Sequence, residues 1–469
     1  MATKRLKEQH TTEGDLEPKS MAEDRISDLP DSIIIHILSF LPTIVAIRMS
    51  LLSKRWRRMW NLIKVLNFSV SRDVEFFRRP NNQKNNERKK FFNFVDRCLN
   101  RPYADTSIEK FTLEVEYYGG RHRMDRWMRF PLKKNVRELV LHIKRARALY
   151  CLPSALLSLR SLTLLKLNGL ELTTGSGSPI VNLPCLKELC LFNVVMNDQV
   201  LNNLLLGCPC LEKLHVHYCC GLLNPQVLSL SLESLEYYEC NRYFIQTLTV
   251  EARNLQSFEY KGVSVRKDSC NVNLFHCVAI KHLSFSDVCM TGRWFEDLIP
   301  RLNSLESLKI DSCYGVKHIN VRNQHLKELD FDCRLNRTEL TTEIIIETPC
   351  LESLTYSGCL TFRISVSASN LLYADINVCG QLDKTAYDME WYTSLIKFLS
   401  EFNGTKNIRI FCGSEKALII PNELRDIHPS PLSDVKYLKV KTALPLFRKE
   451  MFRKSMHWIS PSLETLTIE

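Results

Sequence analysis

One short pattern of apolar positions recurs along most of this chain. An apolar residue is followed by two variable residues, a second apolar residue, one variable residue and a third apolar residue, as in Leu162, Leu165 and Leu167. The last two apolar positions alternate as on a β-strand, so their side chains point to one side and the residue between them points to the other. Between Ile108 and Leu371 the first positions of successive copies lie 20 to 28 residues apart, and two further copies follow later in the chain.

A repeat of this length is typical of leucine-rich repeats, in which no single unit can bury its apolar face and stacked neighbours bury it against each other. We therefore predict an α/β fold in which a curved solenoid carries parallel strands on its concave side and helices and loops outside. Asp198 is predicted to cap a return helix over residues 199–206, and a second return helix is predicted over residues 293–302. Residues 173–179 are predicted to form a projecting loop.

Cysteine follows the phase of the repeat. Five of the 18 cysteines lie eight residues after a first apolar position: Cys219, Cys240, Cys313, Cys359 and Cys379. This slot turns the chain inward after the strand, and a small buried thiol suits it. We interpret these cysteines as reduced structural thiols, not as redox or metal centres. The sequence has no Cys and His pairs at zinc-finger spacing, so no metal site is predicted.

The region before the repeats has a helical pattern. Four apolar residues recur at intervals of four, which predicts one face of an amphipathic helix: Leu29, Ile33, Ile37 and Leu41. Pro30 suits the first helical position and Pro42 ends the helix. Thr43 and Ser53 are predicted to cap two further short helices. Because this segment is too short to fold alone and too apolar to stay exposed, we expect it to have a partner.

Residues 29–60 resemble an F-box, the helical module by which a substrate receptor docks onto a Skp-type adaptor of a cullin–RING ubiquitin ligase. The resemblance is carried by Leu29-Pro30, Leu41-Pro42, Ser50–Trp56 and Trp60, in that order. It implies an adaptor-binding face made of Leu29, Pro30, Ile33, Ile37, Leu41, Pro42, Leu51 and Trp56. For Leu38, Val45 and Leu52, a place in the core of the module and a place at the interface with the adaptor are equal alternatives. Ile44 and Val45 replace a charged pair found in many plant F-boxes.

The resemblance extends over residues 24 to about 380 and is to plant F-box/leucine-rich-repeat proteins. It is carried further along the chain by Phe94–Arg97, Asp125–Trp127 and Leu205–Glu212. Such proteins often end in a further module of repeat-like strands. The expected organisation is a disordered tail (1–23), an F-box (24–70), a linker with an N-terminal cap helix (71–107), leucine-rich repeats (108–380) and an FBD-like C-terminal region (381–469). Within the linker, residues 79–86 predict a polar loop and residues 87–99 predict the cap helix.

Positive charge is concentrated in the first third of the chain. Residues 1–150 carry 31 Lys and Arg against 18 Asp and Glu, whereas residues 151–469 carry 32 against 34. A basic region can bind nucleic acid, or it can meet an acidic protein partner and speed docking. Because Skp-type adaptors are generally acidic, we favour the protein partner over nucleic acid.

Motifs of catalysis are absent from the sequence, which has no Gly-rich phosphate loop, no His-Glu-x-x-His and no Gly-x-Ser-x-Gly. We therefore predict a chain with no catalytic residues and no cofactor, acting as the substrate-recognition subunit of an SCF-type ligase. The F-box would bind the Skp-type adaptor, and through it a cullin, while the repeats capture a protein substrate. Ubiquitin transfer would then be accelerated by proximity. The alternative is a leucine-rich-repeat binding scaffold without a ligase.

Substrate contacts are expected from strand residues that lie between two inward apolar positions. These residues are His215, Glu236, Glu259, Ser284, Lys309, Asp330 and Thr355. Their mixed charges define no single class of ligand. No run of 18 apolar residues and no apolar leader occurs in the sequence. We therefore expect no membrane span and a location in the cytoplasm, the nucleus or both.

Overall fold

The structure, a computed structural model, describes residues 28–69, 81–100, 108–117, 120–145, 148–173, 181–241, 244–263, 271–289, 296–313, 318–332, 343–358, 360, 363–378, 387–443 and 445–468. The chain divides into two compact units, the first ending at Lys64 and the second beginning at Val65. Within the described ranges, no helix is long and apolar enough to cross a membrane. The predicted tail over 1–23, most of the loop over 173–179, Cys359 and Cys379 lie outside these ranges.

In its described part, residues 28–64, the first unit contains three short helices, α1 (Asp31–Phe40), α2 (Thr43–Met49) and α3 (Lys54–Trp60). The predicted cap of α3 is confirmed, because the Ser53 hydroxyl accepts the amide N–H of Trp56 at 3.2 Å. The other two helix starts are predicted wrongly by one residue. Pro30 precedes α1 and does not begin it, and Thr43 is the first residue of α2 and does not cap it.

An arginine joins the start of α1 to α3. The Arg55 guanidinium lies 2.6 Å from the Asp31 carboxylate and also donates to the backbone carbonyl of Leu29. The best-buried apolar side chains of this unit include Ile34, Leu38, Ala46, Trp56 and Met59, each at most 5% exposed. Leu38 is therefore a core residue. Leu52 is 69% exposed, and Val45 is half-buried.

Over the residues that the structure describes, the second unit is built on one parallel sheet of 16 strands. In sheet order these strands are β1 (Val65–Phe68), β2 (Lys110–Tyr117), β3 (Glu138–Arg145), β4 (Leu164–Asn168), β5 (Glu188–Phe192), β6 (Lys213–His217), β8 (Ser234–Tyr238), β10 (Ser257–Lys261), β12 (His282–Ser286), β13 (Ser307–Asp311), β15 (Glu328–Asp332), β17 (Ser353–Gly358), β19 (Tyr373–Val378), β20 (Asn407–Cys412), β21 (Tyr437–Thr442) and β22 (Thr465–Ile468). All fourteen copies of the apolar pattern lie on strands of this sheet, which confirms the predicted parallel repeat architecture.

Two strands of this sheet were not predicted from the sequence. β1 follows the same pattern, with Ile63, Leu66 and Phe68 each at most 1% exposed, but it lies in the segment assigned to the F-box. In β20, Thr405 occupies the first position of the pattern and is buried in place of an apolar residue. Strands β20 to β22 continue the repeat sheet to Ile468.

The segments that return the chain between strands of the main sheet are partly β-structure. β7 (Gln226–Leu228), β9 (Thr247–Glu251) and β11 (Asn271–Asn273) form one three-stranded parallel sheet. β14 (His318–Arg322), β16 (Glu343–Glu347) and β18 (Arg363–Ser367) form another. The prediction of helices and loops outside the main sheet is therefore only partly right, because short strands replace helices in these repeats.

Other described return segments of the second unit are helical. They are α4 (Asn81–Leu99), α5 (Arg121–Lys134), α6 (Asp198–Leu206), α7 (Met389–Ser400), α8 (Asn422–Ile427) and α9 (Lys449–Ile459), with 3₁₀ helices at Ser154–Ser158, Ile299–Arg301 and Glu415–Leu418. The expected loop over 79–86 is wrong from Asn81 onward, because α4 begins there. In the described part of 293–302, the predicted helix is reduced to one short helical segment followed by the 3₁₀ turn.

The cap of α6 lies one residue earlier than predicted. The Asn197 side chain accepts the amide N–H of Val200 at 2.9 Å, so Asn197 caps the helix and Asp198 is its first residue. The Asp198 carboxylate instead accepts the backbone N–H groups of Leu223 and Asn224, at 3.0 and 2.9 Å. It therefore fixes the neighbouring return segment, a contact that helix-cap rules alone do not reveal.

The cysteine that follows a strand forms a hydrogen bond to the repeat before its own. After β6 and after β13 the first residue beyond the strand has a positive φ, so the chain turns inward at the next residue. The thiol of Cys219 donates to the carbonyl of Leu191, and the thiol of Cys313 donates to the carbonyl of Phe285, at 3.4 and 3.6 Å. These carbonyls occupy equivalent positions in the preceding repeats. The described cysteines are free thiols, as predicted.

Two cysteines of one repeat are expected to differ strongly in reactivity. Cys210 is exposed, whereas Cys219 is 6% exposed and burial raises the pKa of its thiol to about 12. Since only the thiolate is alkylated, iodoacetamide near pH 8 should modify Cys210 first and Cys219 only after denaturation. Peptide mass spectrometry over time measures both rates in one sample. Equal rates in the native protein would contradict the assignment of Cys219 to the repeat interior.

Candidate functional site

The first unit carries a set of exposed apolar side chains. Phe40 is 73% exposed, Leu51 is 70% exposed and Leu52 is 69% exposed, and smaller exposed fractions are found for Ile33 and Ile44. Exposing large apolar side chains to water costs free energy that a partner surface would recover. These residues lie in α1, in α2 and in the turn between α2 and α3.

Seven of the eight predicted adaptor-binding residues have exposed surface. Pro30, Ile33 and Leu51 are exposed, and Leu29, Ile37, Leu41 and Pro42 are half-buried. The prediction for Trp56 as a surface residue is wrong, because it is 4% exposed. The helical period identifies an apolar face but does not say which part of that face is core. Phe40 was not predicted, although its place directly before Leu41-Pro42 is visible in the sequence.

The structure brings the seven predicted substrate-binding residues into one continuous row. Each lies opposite the next on neighbouring strands: His215, Glu236, Glu259, Ser284, Lys309, Asp330 and Thr355. Their strand neighbours point the other way; Leu308 and Ile310, for example, are at most 3% exposed on either side of Lys309. We call this set of residues the strand row. Its side chains are exposed or half-buried, so they are available to a ligand.

Charges along the strand row compensate each other locally. The Lys309 ammonium lies 3.7 Å from the Asp330 carboxylate. The pKa of Asp330 is raised, mainly by burial and further by the nearby Asp332 and Asp311 carboxylates. Glu259 accepts a hydrogen bond from the Tyr238 hydroxyl at 2.7 Å. The row therefore contains positive, negative and neutral groups, and it does not present one sign of charge.

The strand row continues past the predicted residues to the end of the sheet. Asp375, Arg409, Lys439 and Thr467 follow Thr355 in register. They line a cavity of about 460 Å³, which is open on the side of the row and is flanked by tyrosines at positions 373 and 437. Arg409 bonds to Asp375 at 3.0 Å within it. The sequence prediction missed this part because the repeat pattern is interrupted in β20, although the alternation of residues 407–412 was available as a signal.

A cluster of imidazole and carboxylate groups lies near the other end of the strand row. The Glu236 carboxylate is 2.8 Å from Nδ1 of His215 and 3.0 Å from Nε2 of His217. His217 stacks on the Tyr238 ring at 3.8 Å, and the Phe192 ring meets it edge-on at 4.8 Å. Burial is the main cause that lowers the pKa of His217. His215 was predicted on this face of the strand, and His217 lies two residues further along the same strand. Only the cross-strand register reveals that both histidines share one carboxylate.

Several arginines of the basic region form ion pairs within the second unit. Arg88 bonds to Glu116 at 2.6 Å, and Arg126 and Arg123 both contact the Asp96 carboxylate. The acidic partners, Glu116 and Asp96, belong to the same segment, so the excess of positive charge in residues 1–150 already takes these pairs into account.

The chain matches two family descriptions. Residues 26–67 match the F-box domain. Residues 124–281 and 260–403 match the family described as FBD-associated F-box protein At5g56370, LRR repeats. Because this match spans more than half of the sequence, the chain belongs to this family of F-box proteins with leucine-rich repeats. The resemblance predicted from the sequence is confirmed.

Relatives with the same combination of modules are found in Arabidopsis thaliana. The putative F-box/LRR-repeat protein At3g18150 is 33% identical over 224 residues, covering 47% of this chain and 43% of the relative. The F-box/FBD/LRR-repeat protein At2g04230 is 30% identical over 344 residues, covering 72% of this chain and 70% of the relative. The FBD-associated F-box protein At4g10400 is 32% identical over 318 residues, covering 65% of this chain and 71% of the relative. The chain thus spans less than half of the first relative and more than two thirds of the other two.

Proposed function

We propose that this chain is the substrate-recognition subunit of an SCF-type ubiquitin ligase. Its F-box docks on a Skp-type adaptor, and through that adaptor on a cullin. The observation that carries the proposal is the exposed apolar set in the first unit, in which Phe40, Leu51 and Leu52 are each about 70% exposed. Buried apolar anchors of this kind supply most of the affinity of protein interfaces.

The second half of the proposal assigns substrate capture to the strand row. From His215 to Thr467 the row crosses eleven strands, which at about 4.8 Å between strands is a contour of roughly 50 Å. That length suits an extended peptide or one face of a folded domain. The mixed charges favour a partner with complementary charges at the same spacing, because complementarity sets register and selectivity more than raw affinity.

No side chain of this chain acts on the substrate in this proposal. Proteins that combine an F-box with leucine-rich repeats are generally non-catalytic adaptors. Holding the captured protein near the loaded ubiquitin-conjugating partner raises its effective concentration, and this proximity is the source of rate acceleration. The protein would act in the cytoplasm, the nucleus or both.

A variant that keeps the strand row and lacks adaptor binding should act as a trap. Leu51→Asp combined with Leu52→Asp disrupts the apolar set, which lies in the first unit, and leaves the second unit unchanged. Proteins captured by the trap should be recovered in larger amounts and with less attached ubiquitin than those captured by the wild-type chain. Affinity purification from plant cells, followed by quantitative mass spectrometry with and without proteasome inhibition, measures both quantities.

The competing function is a binding scaffold without a ligase. It draws support from α2, where Ile44 is 37% exposed at a position that many plant F-boxes fill with a charge. A scaffold would capture the same proteins, in the same amounts and with the same ubiquitin content, in both forms of the chain. That outcome would overturn the ligase proposal.

A further inference from the structure

The cluster around Glu236 has the composition of a metal site. Ligand atoms of His215, His217 and Glu236 all lie within 4.8 Å of one another, and one carboxylate oxygen of Glu236 faces both imidazoles at 2.8 and 3.0 Å. A tetrahedral zinc ion with bonds of about 2.0–2.1 Å to nitrogen and oxygen holds its ligand atoms roughly 3.3 Å apart. The two separations, 2.8 and 3.0 Å, are shorter than that value by about half an ångström or less, so a small outward movement of the side chains would admit the ion.

His217 is held in position for a ligand. Its side chain is 10% exposed, and its buried Nε2 atom lies 3.0 Å from the Glu236 carboxylate. The same carboxylate oxygen lies 2.8 Å from Nδ1 of His215, so one oxygen faces both imidazoles. The rings of Tyr238 and Phe192 hold the His217 imidazole in one orientation. A cation between the three side chains would contact both nitrogens and the carboxylate at once.

The neighbouring strands add charge and a softer donor. Cys190 and Glu188 form a second group with His215 within the same 4.8 Å limit. The Glu188 carboxylate is already paired with Lys166 at 2.7 Å, so it lies outside the core of the site. Glu259 lies opposite Glu236 on the next strand, so a second carboxylate stands beside the site. Negative groups placed together in this way attract a cation.

We propose that His215, His217 and Glu236 bind a divalent transition-metal ion of the zinc type. Two imidazoles and one carboxylate suit zinc and similar ions better than magnesium or calcium, which prefer oxygen ligands. With three protein ligands the ion keeps a coordination position open. His215 and Glu236 are half-buried members of the strand row, so this position lies beside the surface assigned to substrate capture. The site itself does not depend on the proposed ligase function.

Sequence inspection cannot find this site by spacing. His215 and His217 are two residues apart on β6, and Glu236 lies on β8, opposite His215. The return segment between them includes β7, which belongs to a different sheet. The three ligands therefore meet only through the register of two neighbouring main-sheet strands. Metal motifs based on short Cys and His spacings do not describe such an arrangement.

The test is a zinc titration of the full-length chain after removal of metals with a chelator. Isothermal titration calorimetry should give one bound ion per chain. Glu236→Gln keeps the shape of the side chain and removes its charge, and His217→Gln removes the buried nitrogen. Each variant should weaken zinc binding by at least about tenfold, the lower end of the effect seen when even an outer-shell partner is removed. Magnesium at the same concentration should not compete.

Two histidines serve as matched controls. His142 lies on β3 of the same sheet, and His318 pairs with Glu343 at 3.6 Å on a different sheet, without a second imidazole. His142→Gln and His318→Gln should leave zinc affinity unchanged. Circular dichroism and melting temperature establish whether each variant is folded. If the His217→Gln variant does not fold, the Glu236→Gln variant alone tests the proposal. Absence of saturable binding, or equal losses in the site and control variants, would overturn the proposal.

Discussion

Replacing Leu51 and Leu52 together with Asp is expected to weaken binding to a Skp-type adaptor by at least about 100-fold. Both side chains are about 70% exposed in the free chain, so they are available to fill pockets on a partner. Fully burying one Leu side chain is worth about 1.5–3 kcal/mol, and each 1.4 kcal/mol is a factor of ten in affinity. Calorimetric titration of the purified adaptor into the full-length chain measures this loss directly.

A matched control separates docking from general surface chemistry. Leu230 is 76% exposed in the second unit, so Leu230→Asp introduces the same kind of change away from the F-box. It should leave adaptor affinity unchanged. All these variants should melt close to the wild-type temperature, because exposed substitutions usually change stability by less than about 0.5 kcal/mol. Undiminished affinity in the double variant would show that these leucines lie outside the adaptor interface.

Two adjacent residues of β15 are expected to separate folding from recognition. Phe331 is 3% exposed and stacks near Tyr356, so Phe331→Ala should lower the free energy of unfolding by about 3–5 kcal/mol. Asp330 points to the opposite face beside Lys309, so Asp330→Lys should cost only about 0.2–1 kcal/mol, through repulsion between two Lys directly opposite each other. The second change should instead alter which proteins the chain captures. Urea denaturation and proximity labelling measure the two effects.

The control for recognition changes charge by the same amount outside the strand row. Glu352 is exposed in the turn before β17, and Glu352→Lys should leave the captured proteins unchanged. If Asp330→Lys destabilised the chain as much as Phe331→Ala, the assignment of strand faces would be wrong. If Asp330→Lys and Glu352→Lys gave the same captured proteins as the wild type, recognition would lie elsewhere, and the loop over 173–179 would be examined next.

The main sheet could be predicted because one rule governs it. Each strand needs two inward apolar residues, and this alternation is visible in the sequence, as in Leu308 and Ile310. The prediction failed where a different residue satisfies the same geometry. Thr405 is buried at the first position of the β20 repeat, and Ile63 starts a repeat inside the segment assigned to the F-box. Return segments were harder, because a short apolar run such as Ile344–Ile346 fits a strand or a helix equally well.

The sequence predicts which face of a strand a site residue lies on, because that depends only on the alternation along the strand. It does not predict which residues lie opposite each other on neighbouring strands. Lys309 and Asp330 were placed on the correct face because each lies between two core residues. The contact between His217 and Glu236 required knowledge of which residues lie opposite each other across β6 and β8. Trp56 shows the corresponding limit for helices, because an aromatic residue in a short apolar helix can serve either the core or the interface.

We propose that the F-box couples captured proteins to a cullin. Assembly of the complex from purified components tests this coupling most directly. The full-length chain, a Skp-type adaptor and the N-terminal domain of a cullin are mixed and separated by size-exclusion chromatography with light scattering. We predict one complex with a 1:1:1 stoichiometry, and only the adaptor–cullin pair when the chain carries Leu51→Asp and Leu52→Asp. Elution of the wild-type chain apart from the adaptor–cullin pair, at concentrations well above those in cells, would contradict the account.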